Sequence, residues 1–258
     1  MKQEKKFSVL KTRKETRKMK LTYIYHSGFA IEANGFSILM DYFKDTLKSS
    51  DMGFVHQELL NRPGTLYILA SHFHPDHFNA EVLQWKEQKK DIVYIFSKDI
   101  LKRKRAGKEE AIYLKKGDYF EDKNLRIEAF GSTDSGVSFF INTGGKNFFH
   151  AGDLNNWHWQ DESTPEEATH SEKHYLNELN DIVAKIKQLD VAMFPVDPRI
   201  GTGFARGAEQ FITQIPTKIF VPMHFWEQPE TTKSFGTYAK KQGCHFALMA
   251  TPGESITI

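Results

Sequence analysis

The amino-acid sequence predicts an α+β fold in which β-sheets are covered by helices. Short strand patterns joined by tight turns fill the start of the chain, and strands then alternate with helical patterns in both halves. This order is typical of layered folds that mix sheets with covering helices. The chain has 258 residues, 40% of them hydrophobic, and no linker-like stretch divides it. We therefore expect one sizeable core and a soluble globular protein.

Strands dominate the first half of the chain. Asn34-Gly35 is a two-residue hairpin turn between two early strands, and Pro63-Gly64 ends the first helix. Asn79 can cap the second helix. The predicted strands are Leu21–Tyr25, Phe29–Ala33, Phe36–Met40, Thr65–Ala70, Ile92–Phe96 and Leu125–Phe130, with a short one near Ile112. The predicted helices are Val55–Leu60 and Ala80–Lys89.

The second half repeats the pattern with longer helices. A Thr143-Gly144-Gly145-Lys146 turn joins its first two strands, and the apolar stripe Leu176, Leu179, Val183 and Ile186 recurs at helical spacing and predicts a core-facing helix. The predicted strands are Val137–Asn142, Asn147–His150, Val191–Phe194, Lys218–Val221 and His245–Met249. The other predicted helices are Ala205–Thr213 and Thr232–Lys241.

Charge is distributed unevenly along the chain. Residues 1–20 hold nine Lys/Arg against two Glu, a net +7, so the rest carries about −5 of the total +2. We therefore expect a basic N-terminal extension, residues 1–20, followed by a single domain, residues 21–258. Such a tail either contacts nucleic acid or anionic lipid or is simply solvated.

Cysteine usage and hydropathy bound the location of the protein. The single Cys244 excludes an intramolecular disulfide framework and favours the reducing cytoplasm. No apolar run reaches the length of a membrane span, and no secretory signal is visible. The sequence therefore predicts a cytoplasmic protein without a membrane span.

A cluster of metal-ligating residue types is the strongest functional signal in the sequence. The segment His72-Phe73-His74-Pro75-Asp76-His77 directly follows a predicted strand. Residues two apart on an extended backbone point the same way, so His72 and His74 can bind one cation, while Asp76 and His77 turn toward a second. An isolated histidine more often satisfies a hydrogen bond, but four donors in six residues indicate a metal site. Nitrogen and oxygen donors without thiolates favour zinc, with manganese or iron as alternatives.

Two further polar residues follow predicted strands elsewhere in the chain. Asp153 comes directly after the strand that ends at His150, and His224 follows Val221 in the same way. Taken singly, Asp153 could cap a turn and His224 could be a packed core histidine. Because α/β architectures place ligands where strands end, both are candidate ligands for the same metal site.

These motifs resemble those of the metallo-β-lactamase-fold hydrolases, whose first motif is His-x-His-x-Asp-His. Tyr25-His26-Ser27-Gly28-Phe29 and Ile38-Leu39-Met40-Asp41 are similar to the opening of the branch that contains ascorbate-phosphate lactonases and many bacterial hydrolases. The resemblance spans roughly residues 21–228. It implies an αββα four-layer sandwich, two mixed sheets covered by helices, with a dinuclear metal site in a cleft at one edge of the sheets.

The resemblance also implies two ligand sets. The first ion would be held by His72, His74 and the bridging Asp153, and the second by Asp76, His77, Asp153 and His224. The third histidine of the family is missing, because Gly-His-Thr-x-Gly is replaced by Gly131-Ser132-Thr133-Asp134-Ser135-Gly136. Asp134 either turns inward as an oxygen ligand or only stabilises a tight turn. One or two divalent ions are therefore expected, and the case for zinc at both positions is weaker.

Other polar and aromatic residues near these strand ends are candidates for supporting roles. His26 and Asp41 either orient ligands or cap strands. Arg199 and Arg206 either grip a phosphate or carboxylate or make structural pairs. The remaining candidates to reach the cleft or wall a substrate pocket are His158, Trp157, Trp159 and Trp226.

The predicted activity is metal-dependent hydrolysis of a small ester, lactone or phosphodiester by a metal-activated water. Asp76 is the predicted catalytic residue, accepting a proton or orienting the hydroxide. One alternative is a nuclease acting on RNA or DNA, for which the basic tail would hold the backbone. The other is a non-enzymatic binding protein with a degenerate metal site. The sequence does not indicate an oligomeric state.

Overall fold

Two seven-stranded β-sheets lie at the centre of the structure, a computed structural model that describes residues 18–47 and 49–258. The strand order of the first sheet is β14-β1-β2-β3-β4-β5-β6. Its strands are β1 (Lys20–Tyr25), β2 (Gly28–Ala33), β3 (Phe36–Met40), β4 (Thr65–Ala70), β5 (Ile92–Ser97), β6 (Ile112–Leu114) and β14 (Ser255–Thr257). The basic segment 1–17, most of the predicted extension, lies outside the described residues.

The second sheet has the order β13-β12-β11-β10-β9-β8-β7. Its strands are β7 (Tyr119–Glu121), β8 (Leu125–Phe130), β9 (Ser138–Thr143), β10 (Lys146–His150), β11 (Leu189–Pro195), β12 (Thr217–Met223) and β13 (His245–Phe246). Both sheets are mixed. Pairing is antiparallel from β14 through β3 and from β7 through β10, and it is parallel from β3 to β6 and from β10 to β13.

In the part of the chain that the structure describes, four α-helices and several short helical turns cover the sheets. The α-helices are α1 (Lys98–Lys102), α2 (Pro165–Lys185), α3 (Arg206–Gln214) and α4 (Pro229–Lys241). The short segments are the 3-10 turns Ser50–Met52, Ala80–Lys86 and Pro198–Ile200 and the π-helical turn Val55–Leu59. Helix α2 begins at a capping box in which Thr164 accepts from the Glu167 backbone while the Glu167 carboxylate accepts from the Thr164 N–H.

The apolar residues form two cores, one on each side of the first sheet. The larger core lies between the sheets and continues under α2, α3 and α4, where Phe149 and Phe194 pack on Phe211. The smaller one joins the outer face of the first sheet to the short helical segments, including Val55 and Trp85. The layers are therefore helix, sheet, sheet, helix. The predicted αββα sandwich is confirmed.

Several predicted elements differ in detail from the observed ones. The predicted helix Ala80–Lys89 is a 3-10 helix, Ala80–Lys86, although Asn79 caps it as expected. The predicted strand His245–Met249 pairs only over two residues. Strands β7 and β14 and helix α1 were not predicted. They are short and partly exposed, so they carry little of the apolar periodicity on which such predictions depend.

The parallel pairing brings several strand ends to one edge of the sandwich. In the first sheet, β3 lies beside β4. In the second, β11 lies between β10 and β12. The carboxyl ends of these five strands therefore open on the same edge, where their connecting loops meet.

We predict that Gly64→Ala destabilises the fold more than Gly117→Ala. Both glycines have positive φ, +89° and +91°, but a Cβ at Gly64 would lie 2.0 Å from the carbonyl oxygen of Gly35, whereas one at Gly117 would meet nothing within 4 Å. The backbone conformation alone costs about 1–2 kcal/mol, and the clash adds roughly 1–3 kcal/mol at Gly64. Urea unfolding of the two variants measures the difference. Equal losses would contradict the close approach of the two turns.

Candidate metal centre

Eight ionisable side chains from both sheets converge where the strands end. The segment after β4 provides His72, His74, Asp76 and His77. The turn between β1 and β2 provides His26, and the loop between β8 and β9 provides Asp134. Asp153 and His224 follow β10 and β12. Their donor atoms form two groups, and within each group all donor atoms lie within 4.8 Å of one another.

The first group consists of His72, His74, Asp134 and Asp153. His72 Nε2 lies 3.0 Å from His74 Nδ1, and His74 Nδ1 lies 3.3 Å from Asp134 Oδ2. The Asp134 carboxylate, which stands near the position of the missing histidine, thus turns inward toward His74. Its side chain is 44% exposed, so this group opens toward solvent.

The loop that carries Asp134 is held directly against the β4 turn. Gly136 has φ +69°, and a Cβ there would lie 2.0 Å from the carbonyl oxygen of Ser71. Thr133 fastens the loop on its other side, since its hydroxyl donates to Asn155 O at 2.6 Å and accepts from Asn155 N at 2.9 Å. The absence of a side chain at Gly136 therefore lets Asp134 approach His74.

The second group consists of His26, Asp76, His77 and His224. Asp76 Oδ2 lies 3.4 Å from His26 Nε2 and 3.8 Å from His77 Nε2. The three imidazoles are buried, whereas the Asp76 side chain is 23% exposed. Asp76 is therefore the member of this group that faces the solvent side.

Asp153 lies between the two groups. Its Oδ2 is 3.3 Å from His72 Nε2, while its Oδ1 is 3.1 Å from His77 Nε2 and 3.4 Å from His224 Nε2. The two carboxylate oxygens thus face different groups. This is the geometry in which one carboxylate can bridge two cations.

The residues present fit a pair of divalent cations. Within the described part of the chain, His77 Nε2, Asp153 Oδ1 and both ring nitrogens of His26 are buried without a hydrogen-bond partner. Buried polar atoms are normally paired, because leaving one unpaired costs free energy. A cation would satisfy the lone pairs of His77 Nε2, Asp153 Oδ1 and one nitrogen of His26, and a set of imidazoles and carboxylates is the chemistry that zinc, manganese and iron accept.

Asp41, directly after β3, orients two of the histidines. It accepts from Ser71 N at 2.7 Å and from Ser71 Oγ at 2.6 Å, and His77 Nδ1–H donates to it at 2.7 Å. Because the Ser71 hydroxyl donates to Asp41, His72 Nδ1–H donates to Ser71 Oγ at 2.9 Å. Both rings therefore direct Nε2 into the centre, as histidine ligands require.

Asp197, after β11, orients the third histidine. His224 Nδ1–H donates to Asp197 Oδ2 at 2.9 Å, which leaves Nε2 free to face Asp153. Arg199 in turn donates Nε–H to the same carboxylate at 3.0 Å, and its guanidinium lies 5.0 Å from the ring centroid of Trp226. Asp197 was not among the predicted residues, although it follows a strand just as Asp153 does.

Burial and neighbouring charges shift the pKa values of the buried groups. Burial alone would raise the pKa of Asp153, but His77 and His224 lower it well below its ordinary value. Burial alone would lower the pKa of His77, but Asp153 and Asp41 raise it well above its ordinary value. Burial lowers the pKa of His26 to about 4. His26 is therefore neutral at pH 7.

Backbone strain is concentrated around this centre. Six non-glycine residues in the described ranges have positive φ, and five of them lie in or beside the site: His26, Asp41, Trp159, His224 and Trp226. Such conformations cost about 1–3 kcal/mol each and persist only where the surroundings enforce them. The strained backbone therefore lowers local stability while it fixes the geometry of the site.

A cavity of about 340 Å³ opens on the two donor groups. Trp157 and Trp159 stack in its wall with ring centroids 6.1 Å apart and an interplanar angle of 13°. The guanidinium of Arg199 adds a positive charge to the lining. The lining residues are His74, Asp76, Thr133, Asp134, Asp153, Trp157, Trp159, Arg199 and His224.

Three residues that were predicted as candidates for the cleft lie outside this cavity. His158 is buried, accepts from Gln160 N through Nδ1 and donates from Nε2 to Gly203 O at 3.1 Å. The guanidinium of Arg206 donates to Gln160 Oε1 at 2.7 Å. Both side chains hold the segment after Trp157 against the loop before α3. Trp226 packs on His26, with ring centroids 4.2 Å apart, rather than lining the cavity.

Residues 20–224 match the family described as the beta-lactamase superfamily domain. With this match over most of its length, and with the fold and donor groups described above, the chain belongs to the metallo-β-lactamase-fold hydrolase superfamily.

Individual relatives extend the comparison. A UPF0173 metal-dependent hydrolase from Symbiobacterium thermophilum is 26% identical over 251 residues, covering 93% of this chain and 100% of that protein. The metallo hydrolase Igni18 from Ignicoccus hospitalis has a TM-score of 0.67 at 19% identity, covering 93% of this chain and 98% of that one. CmlA, a diiron β-hydroxylase from Streptomyces venezuelae, has a TM-score of 0.64 at 12% identity, covering 93% of this chain and 54% of that one. The two solved structures share the fold with this chain.

We predict that Asp41→Asn weakens divalent-metal binding about 10- to 100-fold without unfolding the chain, because an amide nitrogen cannot accept the hydrogen bonds that orient His77 and Ser71. Isothermal titration of the metal-stripped protein with zinc measures the affinity. Asp190→Asn is the matched control, since that carboxylate also accepts from a backbone N–H but lies at the opposite end of β11. An unchanged affinity in Asp41→Asn would contradict this role.

Proposed function

We propose that this protein is a metal-dependent hydrolase with a dinuclear centre. His72, His74, Asp134 and Asp153 would hold one ion, and Asp76, His77, His224 and Asp153 the other. The observation that carries the proposal is the position of Asp153, whose two oxygens face the two donor groups separately. Because several buried atoms around His77 lack a protein hydrogen bond, a cation would complete that side of the site.

Divalent cations at these positions would supply Lewis acidity, which lowers the pKa of a bound water and stabilises negative charge on oxygen. Asp76 is the residue positioned to accept a proton from water or to orient the water. It belongs to the second donor group and also lines the cavity, and its carboxylate has a pKa lowered by His26 and His77 against the effect of burial. An ionised carboxylate at this boundary can accept a proton from water or orient it for attack.

The cavity favours a small substrate. Its volume is within the range of small-molecule sites, roughly 300–1,000 Å³. Aromatic rings on one wall and a guanidinium on another suit an ester, lactone or phosphodiester that combines an apolar body with a polar group. A panel of these three classes, with thioesters added, identifies the reaction type.

Zinc is the metal that we propose first, with manganese or iron as alternatives. Imidazole donors support zinc, whereas Asp134 in place of a histidine adds an oxygen donor that suits manganese and iron. Elemental analysis of the purified protein should find about one or two transition-metal ions per chain. Metal-free protein would instead support a non-enzymatic binding role.

A cytoplasmic location and a single domain over residues 21–258 are part of the same proposal. Cys244 is the only cysteine, which suits a reducing compartment. Within residues 18–47 and 49–258, no helix combines the length and apolar character needed to cross a membrane. The nuclease alternative depends on the basic tail, and nucleic-acid binding that weakens with salt and disappears without residues 1–20 would support it.

We predict that His74→Ala and Asp76→Ala each lower kcat/KM by roughly 100-fold or more on the substrate found in the panel, because each removes a donor that also faces the cavity. His174→Ala is the control, since that histidine lies exposed on α2. Circular dichroism and urea unfolding verify that the variants are folded. Full turnover by the metal-stripped Asp76 variant would refute the hydrolase proposal.

We predict that metal binding releases protons, because Asp153 and Asp41 raise the pKa of His77 above its ordinary value against the effect of burial, and an imidazole must be deprotonated to act as a ligand. Metal affinity should therefore fall as the pH is lowered. Zinc titrations in two buffers with different heats of ionisation measure the number of protons released. A binding enthalpy independent of the buffer would contradict the release of protons on metal binding.

A further inference from the structure

We propose that His26 is itself a metal ligand, the third imidazole of the ion held by Asp76, His77 and His224. This inference rests on the proposed function, because it assumes that the centre binds cations. It assigns a direct role to a residue of the β1–β2 turn, which lies outside the motif at residues 72–77.

The position of the ring is the first observation. His26 Nε2 lies 3.4 Å from Asp76 Oδ2, and the ring centroid is 4.1 Å from that of His224 and 5.8 Å from that of His77. The donor atoms of all four residues lie within 4.8 Å of one another. One cation can therefore contact all four without a rearrangement of the backbone.

The lack of competing partners is the second observation. The His26 side chain is completely buried, and neither ring nitrogen has a hydrogen-bond partner among the described residues. A histidine with only a packing role normally satisfies at least one nitrogen, as His150 does by donating to Ser27 O at 2.8 Å. Coordination by Nε2 gives the His26 ring the partner that the protein does not provide.

The backbone of His26 adopts a strained conformation that holds the imidazole ring in place. His26 has φ +58°, its N–H donates to Tyr23 Oη at 2.9 Å, and its carbonyl oxygen accepts from His224 N at 3.3 Å. The Trp226 ring packs against the imidazole. His77 and His224 are oriented by carboxylates, whereas His26 is oriented by its backbone bonds and by Trp226. This explains how it can be a ligand without an acceptor at Nδ1.

The extra imidazole makes the two ion positions unequal. The group around His74 offers two imidazoles and two carboxylates, and the group around His77 would offer three imidazoles and two carboxylates, with Asp153 shared. The ion with five protein donors is bound more tightly and has fewer positions open to solvent. The ion beside Asp134 is then the more exchangeable one.

The test is a titration of the full-length, metal-stripped protein with Co²⁺ alone, followed by visible absorption. His26→Asn is the informative variant, because asparagine tolerates positive φ but is too short to reach the ion. It should lower the affinity for the tighter Co²⁺ at least about tenfold and change the Co²⁺ absorption bands. His158→Asn, a buried histidine outside both donor groups, should leave both unchanged.

Magnetic resonance of the wild-type protein gives a second measurement that needs no variant. With Co²⁺ at both ion positions and histidine labelled with ¹⁵N, five histidines should show the contact-shifted ring N–H signal of a coordinated imidazole if His26 is a ligand, namely residues 26, 72, 74, 77 and 224. Four such histidines, or an unchanged Co²⁺ affinity and spectrum in His26→Asn, would overturn the inference and leave the proposed function standing. Failure of the wild-type protein to bind Co²⁺ would overturn both.

Discussion

The structure of the site depends on one buried carboxylate held among imidazoles. Asp153 is 6% exposed and faces His72 on one side and His77 and His224 on the other. A charge at this depth is stable only when compensated, so the surrounding histidines must be held at the correct distance. In the second sheet, the parallel pairing of β10, β11 and β12 fixes the distance between Asp153 and His224. On the side of the first sheet, the hydrogen bond to Asp41 fixes the position of His77.

Much of this arrangement could be predicted from local sequence. The donors at residues 72–77 are recognisable because they are adjacent in the chain, and Asp153 and His224 because each follows an apolar strand. Asp197 follows the same rule and could have been found by it. The proximity of His26 to Asp76 could not be predicted, since it depends on a strained turn and on the way two sheets pack. The 3-10 geometry of Ala80–Lys86 was likewise beyond apolar periodicity, which does not separate 3-10 from α-helix over seven residues.

The fold by itself does not determine the reaction. The chain shares its architecture with a metallo hydrolase and also with a diiron hydroxylase, so the chemistry must be argued from the donor atoms and the cavity. One local feature separates this chain from the general pattern of the family, because a carboxylate, Asp134, stands near the place of a histidine. His26 lies beside the second donor group.

The bond between the backbones of His224 and His26 has a mechanical consequence. His26 belongs to the first sheet and His224 follows the second, and His150 crosses the same boundary to reach Ser27 O. At this edge of the sandwich, these hydrogen bonds link the two sheets directly. A cation bound there would link both sheets, so the edge that carries the donor groups would also resist the separation of the sheets.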